Sequence, residues 1–167
     1  MKSIKTLIIV IFTIIFLISC SSIPKPSDNF DGIVVVDVIQ TGVFNEKLGD
    51  SVIKVIDEES LLEIQSTVIR SNGRVIIKLP SGVYRLKAAY SPNRKDDHAV
   101  SILNESIVVE KGKVQYVNQY VEFHFEKIGT GGFSPKTFWK QISKEKMEQN
   151  IKDIEGNNNI TFWNLVY

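Results

Sequence analysis

The sequence predicts an all-β domain, antiparallel in construction and closed by one C-terminal helix, on three observations. From Gly32 to Lys127, short runs rich in Val, Ile, Tyr and Phe recur, and in several of them apolar and polar residues alternate. That is the period of a strand with one buried and one wet face. Clusters of Gly, Pro, Asn and Ser divide the runs, as turns do. Helical spacing is confined to a segment near the C-terminus, where Met147, Ile151 and Ile154 recur behind Ser143.

In chain order, Ile33–Gln40 is almost continuous Ile and Val, which suits a strand buried on both faces. Val52–Ile56 is a second strand. In a third, Leu62, Ile64 and Val68 alternate with Glu63, Gln65 and Thr67. Ser71-Asn72-Gly73-Arg74 is a turn, after which Val75, Ile77 and Leu79 point one way and Arg74 and Lys78 the other. Leu79-Pro80-Ser81-Gly82 has Pro and Gly where a type I turn prefers them, and behind it Tyr84, Leu86, Ala88 and Tyr90 alternate with Arg85 and Lys87. The two flanking strands read as a hairpin. Ile107–Val109 is a short strand, and Glu110-Lys111-Gly112-Lys113 turns the chain. Val114–Lys127 is the longest strand, with Val117, Val121, Phe123 and Phe125 inward and a bulge expected near Asn118-Gln119, where the apolar pattern weakens.

Gly129-Thr130-Gly131-Gly132 reads as a hinge that ends the β region. The helix follows, with Ser143 as its N-cap, Met147, Ile151 and Ile154 inward, Lys144, Lys152 and Glu155 outward, and Gly156 placed for a left-handed C-terminal residue. Asn157-Asn158-Asn159 is a loop, and Ile160–Tyr167 is prone to form a last strand. Residues 134–167 hold too many large apolar groups to stay exposed, so they are expected to pack on the β domain.

The N-terminus has a different texture. Lys2 and Lys5 precede an uncharged apolar run, Thr6–Ile18, which falls short of the roughly 20 residues a membrane-spanning helix needs. Residues 1–19 therefore read as a secretory signal. Leu17-Ile18-Ser19-Cys20 resembles the bacterial lipobox, which implies diacylglycerol on the thiol of Cys20, cleavage before it and acylation of the new amino terminus. Residues 20–31, with Ser, Pro and Asp and no periodicity, read as the acylated Cys and a flexible tether, leaving 32–167 as the folded domain. Two or more acyl chains anchor stably at about 0.8 kcal/mol per buried methylene. Ser21 stands where an Asp would mark inner-membrane retention, so the expected location is the bacterial cell envelope, at the periplasmic face of the outer membrane in a Gram-negative organism.

Two further segments carry a resemblance to a known family. Leu79-Pro80-Ser81-Gly82-Val83-Tyr84-Arg85-Leu86 and Ile107-Val108-Val109-Glu110-Lys111-Gly112-Lys113-Val114-Gln115-Tyr116-Val117 are similar to the prealbumin-like (transthyretin-like) domains of bacterial lipoproteins, including an uncharacterised family. In these a Pro-Gly-x-Tyr turn feeds one strand and a Gly-Lys turn the next. The resemblance implies a β-sandwich of about seven or eight strands and supplies no catalytic residue.

Removing the signal takes two lysines and no acid from a chain of 20 basic and 19 acidic residues. The balance is near neutral and no basic stripe emerges, which argues against nucleic acid. Cys20 is the sole cysteine, so once acylated it leaves no thiol for a disulfide, metal or nucleophile. His124 between Glu122 and Glu126 puts three metal-ligating types on one strand face. The same alternation also makes a solvated polar face, the preferred reading, since structural metals draw ligands from several elements. Asp96, Asp97 and His98 would have to reach His124 to complete a composite site. No cofactor is expected. The leading reading is a membrane-anchored, non-enzymatic lipoprotein that binds a protein or envelope component. The alternatives are a structural adaptor of a secretion machine, as the type VI secretion lipoprotein is a tethered sandwich of similar size, and a metal-dependent enzyme working through His124.

Overall fold

The computed structural model describes residues 30–42, 50–69, 72–91, 96–129, 132–156 and 163–166. The signal, Cys20, the tether as far as Asn29 and the Asn157–Asn159 loop lie outside them. Chain order gives β1 (Gly32–Gly42), β2 (Asp50–Asp57), β3 (Glu63–Ile69), β4 (Gly73–Leu79), β5 (Gly82–Ser91), β6 (His98–Ile102), β7 (Ile107–Val109), β8 (Lys113–Ile128), β9 (Gly132–Gln141), α1 (Lys144–Glu155) and β10 (Asn164–Val166). Two of these strands, β7 and β10, are only three residues long.

The strands form an all-β sandwich of two sheets. One runs β10-β8-β1-β4, with β9 also on β8; the other runs β3-β2-β5-β6, with β7 also on β5. Val34, Val36 and Val38 of β1 face the second sheet and meet Ile53, Val55, Tyr84, Leu86, Ala88, Val121, Phe123 and Phe125 in the main core. Ile33 and Val35 face the opposite way, into a smaller cluster with Val114, Tyr116, Ile154 and Trp163. The unbroken apolar run of β1 is thus the signature of a strand covered on both faces. β1 also departs from antiparallel construction. It pairs antiparallel with β4 but parallel with β8, and β10 pairs parallel with β8 as well.

Three turns expected from the sequence do different work from that expected. Pro80 and Ser81 do not close a hairpin, because β4 pairs with β1 and β5 with β2. They form a corner that carries the chain from one sheet to the other. The Tyr84 hydroxyl donates to the Pro80 carbonyl at 3.1 Å, and it lies where a Cβ on Gly82 would come within 2.8 Å. The glycine and tyrosine of the motif are therefore one device, a ring folded back over bare backbone. Gly129–Gly132 is not a hinge either. Ile128 pairs with Gly132 and the ladder runs on to Gln119 with Gln141, so the β region continues into β9. Gly156 sits at φ −67°, in the right-handed region, and its N–H bonds back to the helix carbonyls without a left-handed turn.

The third strand corrects a burial expectation. Ile69 is its buried apolar residue, whereas Leu62 and Ile64 are exposed, because their alternation falls on the outer side of an edge strand. Elsewhere the pattern holds. Val35 lies opposite Tyr116 and Asp37 opposite Tyr120, so β8 bulges across Val117–Gln119; Val117, Val121, Phe123 and Phe125 reach the main core, whereas before the irregularity Val114 and Tyr116 are buried on the opposite face. Ser143 caps α1, its side chain accepting from the Lys146 N–H. Ile151 and Ile154 are buried and Met147 packs against the small cluster, while Lys144, Lys152 and Glu155 are exposed.

Both ends of the described chain meet at one end of the sandwich. Phe30 stacks on Trp163 with ring centroids 5.8 Å apart. The Asp31 N–H donates to the Leu79 carbonyl, its carbonyl accepts from Gly112, and its carboxylate accepts from the Ser81 N–H. That last bond, with the Ser81 side chain second, holds the Asp31 carboxyl below its usual range.

Candidate functional site

Asp37 is the one charged residue in the β1 run. Strand alternation sets it in the row of Ile33 and Val35, on the face that α1 covers, and the cross-strand register sets it opposite Arg74. Its carboxylate is met by three donors. The Tyr116 hydroxyl and the Asn150 side-chain amide donate to Oδ2, and Arg74 Nε donates to Oδ1 at 3.3 Å. Asn150 also donates to the Tyr116 oxygen at 2.7 Å. Asn150 and Tyr116 are both buried, so each polar group at this depth has found a partner, as burial requires. Burial first, and then the bond to Asp37, raise the Tyr116 pKa, with Asn150 opposing. The phenol stays neutral and remains a donor.

A cleft opens above this network, between β1, the start of β4 and the helix. Asp37, Val38, Ile39, Asn72, Gly73, Arg74, Lys146, Asn150 and Asp153 line about 390 Å³ of it. An adjoining lobe of about 320 Å³ shares Asp37, Ile39 and Lys146 and extends to Tyr120, Gln141, Ile142 and Ser143. Together they have the size and mixed lining of a small-ligand site. The β8 bulge helps to place it: the Asn118 carbonyl accepts from the Ile142 N–H at 3.1 Å and ties the start of the helix to the sheet.

His124, Glu122 and Glu126 stand on the outer face of the same sheet, as alternation predicts. Thr41 Oγ1 donates to Glu122 Oε1 at 2.9 Å and lies 2.7 Å from His124 Nδ1. Lysines from β9 hold both carboxylates, Lys140 on Glu122 and Lys136 on Glu126. Those bonds, each the leading cause, lower both carboxyl pKa values. Asp97 belongs to the other sheet, where its carboxylate meets Lys54 at 3.0 Å and Lys87 at 2.7 Å. Burial raises its pKa, but the hydrogen bonds and charges of Lys87 and Lys54 together outweigh that and leave it lowered. The fold does not bring the two halves of the composite site together. Among the described residues no three His, Cys, Asp or Glu are grouped to hold a metal ion.

Neither a protein-family model nor a curated protein matches the chain. Among solved structures, a sea bream transthyretin in complex with thyroxine is similar, at 15% sequence identity over 66% of this chain and 98% of that chain, with a TM-score of 0.31. The likeness concerns the fold alone.

Asp37, Arg74, Lys146 and Asn150 do not stand out in the sequence as site residues, although Asp37 and Asn150 each carry one signal. An acid inside a β-branched run must either face water or be met by donors. Asn150 falls on the helix stripe between Met147 and Ile154, where an apolar residue would be expected. Nothing in the order of residues says that these two positions face each other.

Proposed function

We propose that this chain is a membrane-anchored, non-enzymatic envelope lipoprotein, acylated at Cys20, whose sandwich binds a protein or envelope component in the cleft beneath α1. The observation that carries the reading is the saturation of the polar floor. Both oxygens of Asp37 are already bonded, Oδ2 by Tyr116 and Asn150 and Oδ1 by Arg74, so the carboxylate is held as part of the fold. Ser143 Oγ is committed to the helix cap. A cleft whose floor carboxylate and cap hydroxyl are already engaged favours recognition over bond making. Anchoring rests on the lipobox resemblance, and the position of Cys20 ahead of a Pro- and Ser-containing tether supports it.

The test has two arms. Cys20→Ser is expected to abolish incorporation of labelled fatty acid and leave an uncleaved precursor; continued labelling would end the lipoprotein reading. A photo-crosslinking residue at Ile39, in the cleft, is expected to capture an envelope component that the same residue at Ile64, on the outer face of β3, does not. Equal capture at both positions would remove the cleft from the proposal, and recovery of secretion-machine subunits would turn it toward the adaptor alternative.

A further inference from the structure

The cleft is unequal in what it leaves unpaired. Its carboxylates each have a donor: Asp37 as described, and Asp153 Oδ1 from the Gln149 side-chain amide at 2.9 Å. Its two cations are less fully engaged. Arg74 engages Asp37 through Nε alone, so both terminal amino groups of its guanidinium remain available among the described residues. Lys146, a residue that lines both lobes of the cleft, has no carboxylate partner among the described residues. Lys54, Lys87, Lys136 and Lys140 on the strands, by contrast, each sit on a carboxylate. In the second lobe, Ile39, Tyr120 and Ile142 line the space with Lys146 and offer apolar surface.

Resting on the binding reading above, we infer that the cleft takes a ligand bearing a single carboxylate next to a short apolar group, the carboxylate bridging Arg74 and Lys146 and the apolar group entering the lobe of Ile39, Tyr120 and Ile142. An arginine fork and a lysine supply the charge-assisted donors such a group needs. A carboxylate is favoured over a phosphate because Asp37 and Asp153 also line the cleft. They balance the charges of Arg74 and Lys146, so the second charge of a phosphate gains no net attraction while costing more to desolvate. The chemistry is shared by a free aliphatic acid and by the C-terminal end of a peptide.

The test uses the full chain in detergent micelles, isotopically labelled, with backbone amide shifts followed by NMR. The probes are hexanoate, acetyl-Ala-Leu with a free carboxyl end, its C-terminal amide, and hexyl phosphate. Both acids are expected to move the amides of Asp37–Ile39, Asn72–Arg74 and Lys146–Asn150, and the tighter of the two identifies the source. The amide is expected to leave them unmoved and hexyl phosphate to bind more weakly. Lys146→Gln, at an exposed helix position that leaves the core untouched, should weaken the acids about tenfold by removing one charge-assisted contact. Equal binding of acid and amide, tighter binding of hexyl phosphate, an unchanged Lys146→Gln, or no shift with any probe would each overturn the inference. Crosslinking at Ile39 separates the two levels: specific capture without carboxylate-dependent shifts leaves the binding module standing and removes only its ligand class.

Discussion

The two faces of β1 support two different kinds of interior. Between the sheets, the core is built of aliphatic and aromatic side chains drawn from both sheets. Under α1, the cluster is small, formed by Ile33, Val35, Val114, Tyr116, Ile154 and Trp163, and it borders the polar knot of Asp37, Tyr116 and Asn150. The first interior is redundant, since many residues share its burial and the fold rests on it. The second is thin and specific: it holds one helix at one height above the sheet, and so sets the cleft. On the proposed binding reading, stability and recognition fall to opposite sides of one strand.

Substitutions on the two sides should separate these roles. Phe123→Ala, at a fully buried position in the main core, is expected to cost about 3 to 5 kcal/mol through lost burial and the cavity left behind. The loss should register equally by near-ultraviolet circular dichroism and by amide exchange throughout both sheets. Retained protection in β2 and β5 would show that the main core is not one cooperative unit.

Ile154→Ala, equally buried but in the small cluster, should cost about 2 to 3 kcal/mol and act locally. Amides of α1 should exchange faster while those of β2 and β5 keep their protection. Global loss of protection would mean that the helix is part of the main folding unit.

The smallest effect concerns the knot itself. Tyr116 has a raised pKa in the fold, so it favours the protonated state. Its contribution is fully present below the ordinary tyrosine value, near 10, and declines as pH rises above it. Thermal stability should therefore fall from about pH 10 upward. Tyr116→Phe should make that fall shallower while costing about 1 to 3 kcal/mol at neutral pH, because Asp37 loses a donor. Burial also raises the Tyr84 and Tyr90 values, more than any other cause, so some slope survives the substitution. An unaltered slope would remove Tyr116 from the effect.

The strands of the main core were legible because alternation is a local property. Tyr84, Leu86, Ala88 and Tyr90 face inward as their spacing says, and the weak apolar pattern at Asn118-Gln119 does mark the bulge. Pairing was less legible. The run from Val75 to Tyr90 around Pro80 has every local mark of a hairpin, yet which sheet receives each strand depends on partners far away in sequence, and β4 joins β1 across some forty residues. The hinge reading of Gly129–Gly132 failed because glycines serve a hairpin connection as well as a joint. β6 went unmarked, because Ala99, Val100 and Ile102 make only a short run behind a polar loop. The cleft was the least legible part, since it exists only where β1, β4 and α1 meet.

The way the chain enters the domain has a mechanical consequence. Phe30 and Asp31 are fastened to Trp163, Leu79, Gly112 and Ser81, and the next residue begins β1, which is laddered to β4 on one side and to β8 on the other. A pull through the segment before Phe30, resisted by something held in the cleft at Asp37, runs along the axis of β1. The ladder bonds lie across that axis, so the load falls on many of them in shear at once and cannot open them singly. β10, with three residues paired to β8, would instead peel from its end under much less force. Anchored ahead of its first strand and loaded at that strand's midpoint, as proposed, the domain would hold under tension.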